Sequence, residues 1–201
     1  VVDIKSAHKN KVVVTNIPTY ASDAVAQFTF SLLLEVTSQV GLHNRLVHEN
    51  KWAQVPDFTF WDKSLLELKG KTLGLIGYGH IAQKVAKLGH AFSMKVIFYN
   101  HRPKSVTETW AKQVPLDELL KRADVISLHV IQTPETLNLI NKDSLDKMKK
   151  GVILLNTARG KLVNETDLTN ALNKDKIYAY ATDVVQKEPI AKSNPLLKAK
   201  N

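Results

Sequence analysis

The chain has no cysteine. Disulfide bridges and thiol catalysis are therefore excluded, and a reducing compartment, the cytoplasm, is the expected location. No apolar run approaches membrane-spanning length and no signal-like segment opens the sequence, so no membrane partner is expected. The first residues, Val1-Val2-Asp3-Ile4, carry no methionine and read like the middle of a protein. Acids are outnumbered, 19 Asp and Glu against 28 Lys and Arg, for a net charge of +9. Such a balance raises nucleic acid as a partner. The lysines are dispersed, however, and the densest group (Lys142, Lys147, Lys149, Lys150) flanks Met148 in a helix-like stretch and reads as a solvated face. Aromatics reach only 7% and are not interleaved with basic residues as a stacking platform requires, so no nucleic acid is expected. No metal site is assigned, and neither an internal repeat nor a low-complexity tract is present.

Hydrophobic residues make up 44% of the 201 positions, enough for a sizeable core. Residues 11–15, Lys-Val-Val-Val-Thr, read as a short buried strand that Asn16-Ile17-Pro18-Thr19 breaks. Ser22 or Asp23 caps a helix expected from Ala24 to about Arg45, with Val25, Phe28, Leu32, Val36 and Val40 as its apolar stripe. Residues 50–70 are irregular and aromatic-rich (Trp52, Phe58, Phe60, Trp61) and read as an arm lying on a neighbour. Strands and helices then alternate. Strands are expected at Thr72–Gly77, Lys95–Tyr99, Val125–Val130, Val152–Asn156 and Ile177–Thr182. Helices are expected at Ile81–Phe92, from Pro115 through Leu120, over 142–149 with Gly151 as the stop, and from Glu165 to Leu172 with Asn164 as cap. The alternation implies an α/β fold, a Rossmann-type doubly wound parallel sheet covered on both faces.

The most telling stretch is Leu73-Gly74-Leu75-Ile76-Gly77-Tyr78-Gly79-His80-Ile81-Ala82. A strand breaks into glycines and becomes a helix, leaving unpaired N–H groups at a helix start where an anion can sit. Gly77 permits the tight turn, Gly79 lets a pyrophosphate approach the backbone, and Ala82 lets helix and strand pack closely. This is the G-x-G-x-x-A form of the dinucleotide fingerprint, set in its proper strand–helix–strand context. A plain strand–helix turn is the bland alternative.

Ligands of open parallel sheets sit beyond the carboxyl ends of the strands. The second strand ends in Asn100-His101-Arg102-Pro103-Lys104. An acid at that tip would bind ribose hydroxyls and repel a 2′-phosphate. A neutral Asn100 followed by cations leaves NADP open beside NAD, although Arg102 and Lys104 also read as solvated loop charges. After Val152–Asn156 comes Thr157-Ala158-Arg159-Gly160, where Arg159 either grips a carboxylate through a bidentate fork or forms a surface salt bridge. After Ile177–Thr182 come Asp183, placed to accept from a nicotinamide carboxamide, and Glu188, placed to orient a histidine; both also fit ordinary turn carboxylates.

Together these segments resemble the D-isomer-specific 2-hydroxyacid dehydrogenases, from the first residues to the last. The resemblance includes Val14-Thr15-Asn16-Ile17-Pro18, Leu73–Ala82, Ser127-Leu128-His129 with Thr133-Pro134-Glu135-Thr136, Asn156–Gly160, and Asp183 through Pro189. The tail from Asn194 to Asn201 is most similar to the glycerate dehydrogenase (hydroxypyruvate reductase) branch. The resemblance implies hydride transfer between NAD or NADP and a small D-2-hydroxy or 2-oxo acid. It implies that Arg159 binds the substrate carboxylate and polarises the carbonyl, and that Glu188 pairs with a catalytic histidine. It implies a pyrophosphate turn of Gly77, Tyr78, Gly79, His80 and Ile81, an adenosine end at Asn100, His101 and Arg102, pocket positions at His129, Thr157 and Ala158, and a carboxamide contact at Asp183. A homodimer built through the cofactor domain is implied as well.

There are departures from the family's pattern. Ile131 stands where the family usually has proline, so that loop is expected to differ. No histidine follows His129, and His129 matches a different family position from the catalytic one. Residues 1–20 are expected to be the end of a substrate domain and a hinge, and residues 21–201 a dinucleotide-binding domain incomplete at its C-terminal side. A fragment of this kind is expected to bind dinucleotide weakly and turn over little. The alternative function is a dinucleotide-sensing, corepressor-like binding protein of the same fold.

Overall fold

Six strands, β1 (Thr72–Ile76), β2 (Lys95–Tyr99), β3 (Ala111–Gln113), β4 (Val125–Leu128), β5 (Val152–Asn156) and β6 (Ile177–Thr182), build one sheet in the order β3-β2-β1-β4-β5-β6. Every pairing is parallel. The computed structural model describes residues 2–17 and 19–201; Val1, and the Pro18 of the break expected after residues 11–15, lie outside them. Every residue of β4 and β5 is buried, as strands covered on both faces must be.

The helices are α1 (Ile4–Lys9), α2 (Ser22–Ser38), α3 (Val40–His48), α4 (His80–Ala91), α5 (Leu116–Arg122), α6 (Lys142–Lys147) and α7 (Glu165–Asn173). One core lies between the sheet and α2 with α4, around Leu33, Leu73, Leu75, Val85 and Phe98. The other lies between the sheet and α5, α6 and α7, around Leu119, Leu128, Leu145, Leu154 and Leu168. Caps match local chemistry. Asn164 accepts from the N–H groups of Thr166 and Asp167, and Asn141 forms a reciprocal capping box with Ser144. Gly151 stops the chain after α6 at φ 81°. The close fit of α4 on β1 depends on small residues: Ala82 is fully buried, and a Cβ at Gly89 would lie 2.5 Å from Leu73 Cδ2.

Five expectations need correction. Neither Ser22 nor Asp23 caps α2, whose N-cap is Ala21 without a side-chain cap bond. Residues 11–15 form no strand; Val12, Val13 and Val14 are exposed, and among the described residues no neighbouring strand supplies the ladder bonds that a strand needs. The helix expected over 24–45 is two helices, broken at Gln39, which takes the left-handed conformation at φ 52°; the Glu35 carboxylate receives the Gly41 N–H at the break. The stripe is also different. Buried on α2 are Ser22, Ala26, Thr29, Phe30, Leu33 and Thr37, while Phe28 is 44% and Val40 63% exposed. Small and hydroxyl residues face inward because Thr29 and Thr37 spend their hydroxyls on the carbonyls of Val25 and Leu33 and can be buried without penalty. Finally, β4 ends at Leu128, two residues before the expected Val130, where the chain turns toward Gly77. The three-residue edge strand β3 was not anticipated. The 50–70 segment is irregular as expected, with a single short 3-10 turn at Trp52–Gln54, and leaves Phe58 89% and Trp61 67% exposed.

Candidate functional site

The strand order reverses between β1 and β4, so the connections leaving their carboxyl ends diverge and open a crevice there. Beyond the β1 tip, Gly77 takes φ +90°, and a Cβ on it would fall 2.7 Å from the His129 carbonyl oxygen. Its N–H reaches Tyr99 O at 2.9 Å, while His129 N–H reaches Ile76 O at 2.7 Å, binding the three tips around the crevice together. Gly79 precedes α4 with no side-chain cap, and no acid stands in the helix's first turn. A Cβ added at Gly79 would meet nothing within 4 Å. Its lack of a side chain is therefore not required by packing and leaves the first N–H groups of α4, at His80 and Ile81, open to an anion. The residues present fit the pyrophosphate of a dinucleotide.

Tyr78 contributes backbone only. Its ring lies in the core, stacked on Phe98 at 3.8 Å between centroids. Burial, helped by Glu108, pushes its hydroxyl pKa up to about 12. Its carbonyl receives Lys104 Nζ at 2.6 Å. At the β2 tip, Asn100 turns its amide onto Arg102 O at 2.9 Å. Gln113, reaching across from β3, bonds Asn100 O, Arg102 O and the Lys104 N–H. His101 and Arg102 are exposed.

Across the crevice, His129 Nε2 lies 2.9 Å from the buried Ser127 hydroxyl. Desolvation pushes its pKa down to about 4, so the ring is neutral near pH 7. The folded value lies below the ordinary 6.5, so the unfolded chain binds the proton first as pH falls. Stability is therefore full above pH 6.5 and declines toward pH 4, by about 3 kcal/mol in total. His129→Gln is expected to flatten this part of a urea-unfolding pH series; an unchanged slope in the variant would reject the assignment. The loop beyond, where proline was expected in place of Ile131, is closed by the Thr136 hydroxyl donating to Ile131 O at 2.8 Å and accepting from Thr133 N–H at 2.7 Å.

At the β5 tip the organising residue is Asn156, fully buried. Its Nδ2 donates to Arg159 O (3.0 Å) and Tyr180 Oη (3.2 Å), its Oδ1 accepts from Ala158 N–H (3.0 Å), and its carbonyl accepts from Thr182 Oγ1 (2.7 Å). All of its polar capacity thus shapes the turn that carries Arg159. The Arg159 side chain is exposed and, among the described residues, bonds only its neighbour's carbonyl, Ala158 O at 2.6 Å, leaving the outer edge of the guanidinium open. Thr157 Oγ1 lies 2.7 Å from Thr29 Oγ1. Thr29 already donates its single hydrogen to Val25 O, so Thr157 donates to Thr29 and retains only acceptor capacity toward the crevice.

Gly160 packs directly on the loop that follows β6: a Cβ there would lie 2.0 Å from the Val185 carbonyl. Glu165, buried, accepts from Gln186 N–H at 2.7 Å and from Asn194 Nδ2 at 2.9 Å, fixing that loop from below. Asp183 and Glu188 are exposed on it and line a groove of about 420 Å³; Glu188 accepts from Val185 N–H at 3.2 Å. The sequence reading missed Asn156, Gln113, Glu165 and Thr29. Of these, only Asn156 carried a signal: an amide closing an otherwise apolar, fully buried strand must find partners.

A parallel sheet in this order with a glycine turn at its switch point defines a Rossmann-type dinucleotide-binding domain. Residues 30–201 match the family model of the D-isomer specific 2-hydroxyacid dehydrogenase NAD binding domain, and the chain belongs to that family. The chain is 48% identical over 202 residues to a hydroxypyruvate reductase of Blautia hydrogenotrophica, covering all of this chain and 63% of that protein. Among solved structures, it is similar to a D-lactate dehydrogenase from Aquifex aeolicus complexed with NAD and lactic acid, with a TM-score of 0.83, 33% identity, and coverage of 98% of this chain and 62% of that one. It is also similar to the acyclic imino acid reductase Bsp5 in complex with NADPH and D-Arg, with a TM-score of 0.83, 32% identity, and coverage of 98% and 61%. The chain thus spans about three fifths of the length of these relatives.

Proposed function

We propose that the protein carrying this chain is an oxidoreductase that moves a hydride between a nicotinamide cofactor and C2 of a small D-2-hydroxy acid or its 2-oxo acid, hydroxypyruvate and glyoxylate being the first substrates to try. The observation that carries this reading is the Arg159 turn. It sets a guanidinium with an open outer edge beyond β5, braced by a buried asparagine, on the same sheet end as the glycine turn. In the reduction direction the carbonyl carbon would accept the hydride that a nicotinamide cofactor supplies when bound. Arg159 holds the substrate carboxylate through its fork and draws charge from the carbonyl. Gly79, His80 and Ile81 would receive the pyrophosphate on backbone N–H groups, while Gly77, whose N–H is held by Tyr99 O, shapes the turn. Thr157 and Asp183 offer acceptors to a donor such as the carboxamide. His129, neutral, lines the pocket and is not the proton donor. That role falls to a histidine oriented by Glu188.

At the adenosine end we read a preference for NADPH over NADH. No carboxylate stands at Asn100 to repel a 2′-phosphate, and Arg102 and Lys104 supply positive charge. The half-exposed α2 face at Phe28, with Val40 and the arm at Phe58 and Trp61, fits a contact with a second copy of the chain. The cysteine-free composition fits the cytoplasm. The test is steady-state reduction of hydroxypyruvate and glyoxylate by the full-length protein with each cofactor, on a preparation whose sedimentation gives a two-copy mass. Turnover favouring NADPH is expected. No turnover with either cofactor would overturn the oxidoreductase reading, and turnover confined to NADH would overturn the cofactor choice.

A further inference from the structure

The loop Asn100-His101-Arg102-Pro103-Lys104 leaves β2 at the adenosine end, and its shape rests largely on one side chain. Gln113 Nε2 donates to Asn100 O at 3.1 Å and to Arg102 O at 3.2 Å, while its Oε1 accepts from Lys104 N–H at 2.9 Å. The reverse amide orientation would set N–H against N–H at Lys104 and oxygen against oxygen at the two carbonyls, so only one orientation satisfies all three groups. Gln113 is itself placed by sheet register, opposite Phe98 in the β2–β3 ladder, with Val114 N–H on Phe98 O at 2.9 Å. Lys104 is then pinned at both ends, its backbone by Gln113 and its ammonium by Tyr78 O of the glycine turn. Arg102 has its carbonyl held from two sides, by Gln113 and by Asn100 Nδ2, while its side chain is exposed.

We infer that Gln113 is a positioning residue for cofactor choice: its amide sets the loop that presents Arg102 and Lys104 to the 2′-phosphate of NADP(H). It acts through the loop and not by contact with the cofactor. The inference rests on the NADPH reading above. Because Gln113 is exposed at a sheet edge, replacing it should leave folding nearly unchanged. What should change is the discrimination between two ligands that differ only by that phosphate.

The experiment is calorimetric titration of the full-length protein, and of its Gln113→Leu and Gln113→Glu variants, with adenosine 2′,5′-bisphosphate and with 5′-AMP, alongside thermal melting. The unsubstituted protein is expected to bind the bisphosphate about tenfold more tightly than 5′-AMP, a difference one charge-assisted contact supplies. Gln113→Leu should cut that ratio by roughly fivefold with 5′-AMP affinity and Tm unchanged. Gln113→Glu, which cannot donate to the two carbonyls and adds negative charge, should cut it further. A ratio retained in Gln113→Leu, or an equal loss for both ligands, overturns the role of Gln113 alone. Tighter binding of 5′-AMP by the unsubstituted protein overturns the NADPH reading and the role built on it.

Discussion

Replacing Arg159 by alanine is expected to lower kcat/KM for a 2-oxo acid by about 10³-fold while leaving the fold intact. Two hydrogen bonds from a guanidinium to a carboxylate contribute roughly 2 kcal/mol each, and their sum corresponds to that factor. The side chain is exposed and its only bond among the described residues is to Ala158 O, so its removal costs little stability, within about 0.5 kcal/mol. Arg159→Lys should recover less than about a tenth of the lost rate, because a point charge cannot reproduce the planar fork. Dinucleotide affinity should stay within about twofold, since the glycine turn and the β2 loop are untouched. Steady-state kinetics with cofactor titration checks all of this. A loss of less than about fivefold in Arg159→Ala, or a matching loss of cofactor affinity, would remove Arg159 from its place at the carboxylate.

Much of the frame was legible in the sequence because the strands β2, β5 and β6 are apolar runs closed by turn chemistry, and their observed bounds are those expected. The glycine turn was legible because its residues are adjacent and each meets a local demand. The failures share one physical cause, which is that long-range partners decide. Residues 11–15 have strand composition but, among the described residues, no neighbour to pair with. The small β3 is held by the edge of β2, and its Lys112 and Gln113 give no apolar signal. The packed face of α2 sets Ser22, Ala26, Thr29 and Thr37 beside Phe30 and Leu33, and pattern reading counts those small and hydroxyl residues as weak. Thr29 meets Thr157, Gln113 meets the β2 loop, and Glu165 meets Gln186 only after the chain has folded. As a sequence feature, Glu165 was merely a favourable acid in the first turn of α7.

The contact between Gly160 and the loop after β6 leads to the largest expected structural effect. A methyl group at Gly160 would stand 2.0 Å from both the carbonyl carbon and oxygen of Val185 and 2.6 Å from Gln186 N. These are backbone atoms, so no rotamer change relieves the clash. The loop cannot retreat freely either, because Gln186 N–H is bound to the buried Glu165 carboxylate at 2.7 Å and Gln186 Nε2 to Val163 O at 2.6 Å. Moving it strands a buried carboxylate oxygen, which costs about 1–3 kcal/mol in addition to the about 1–3 kcal/mol of overpacking. Gly160→Ala should therefore lose roughly 3–5 kcal/mol, a fall in Tm on the order of 10 °C, measurable by thermal melting. If instead the Arg159 turn gives way, the fold keeps its Tm and the guanidinium moves, so catalysis falls by the Arg159→Ala factor without unfolding. A variant with both Tm and kcat/KM near those of the unsubstituted protein would show that the turn and the loop do not bear on each other. In that case the coupling of the Arg159 turn to the loop that carries Asp183 and Glu188 would lose its structural basis.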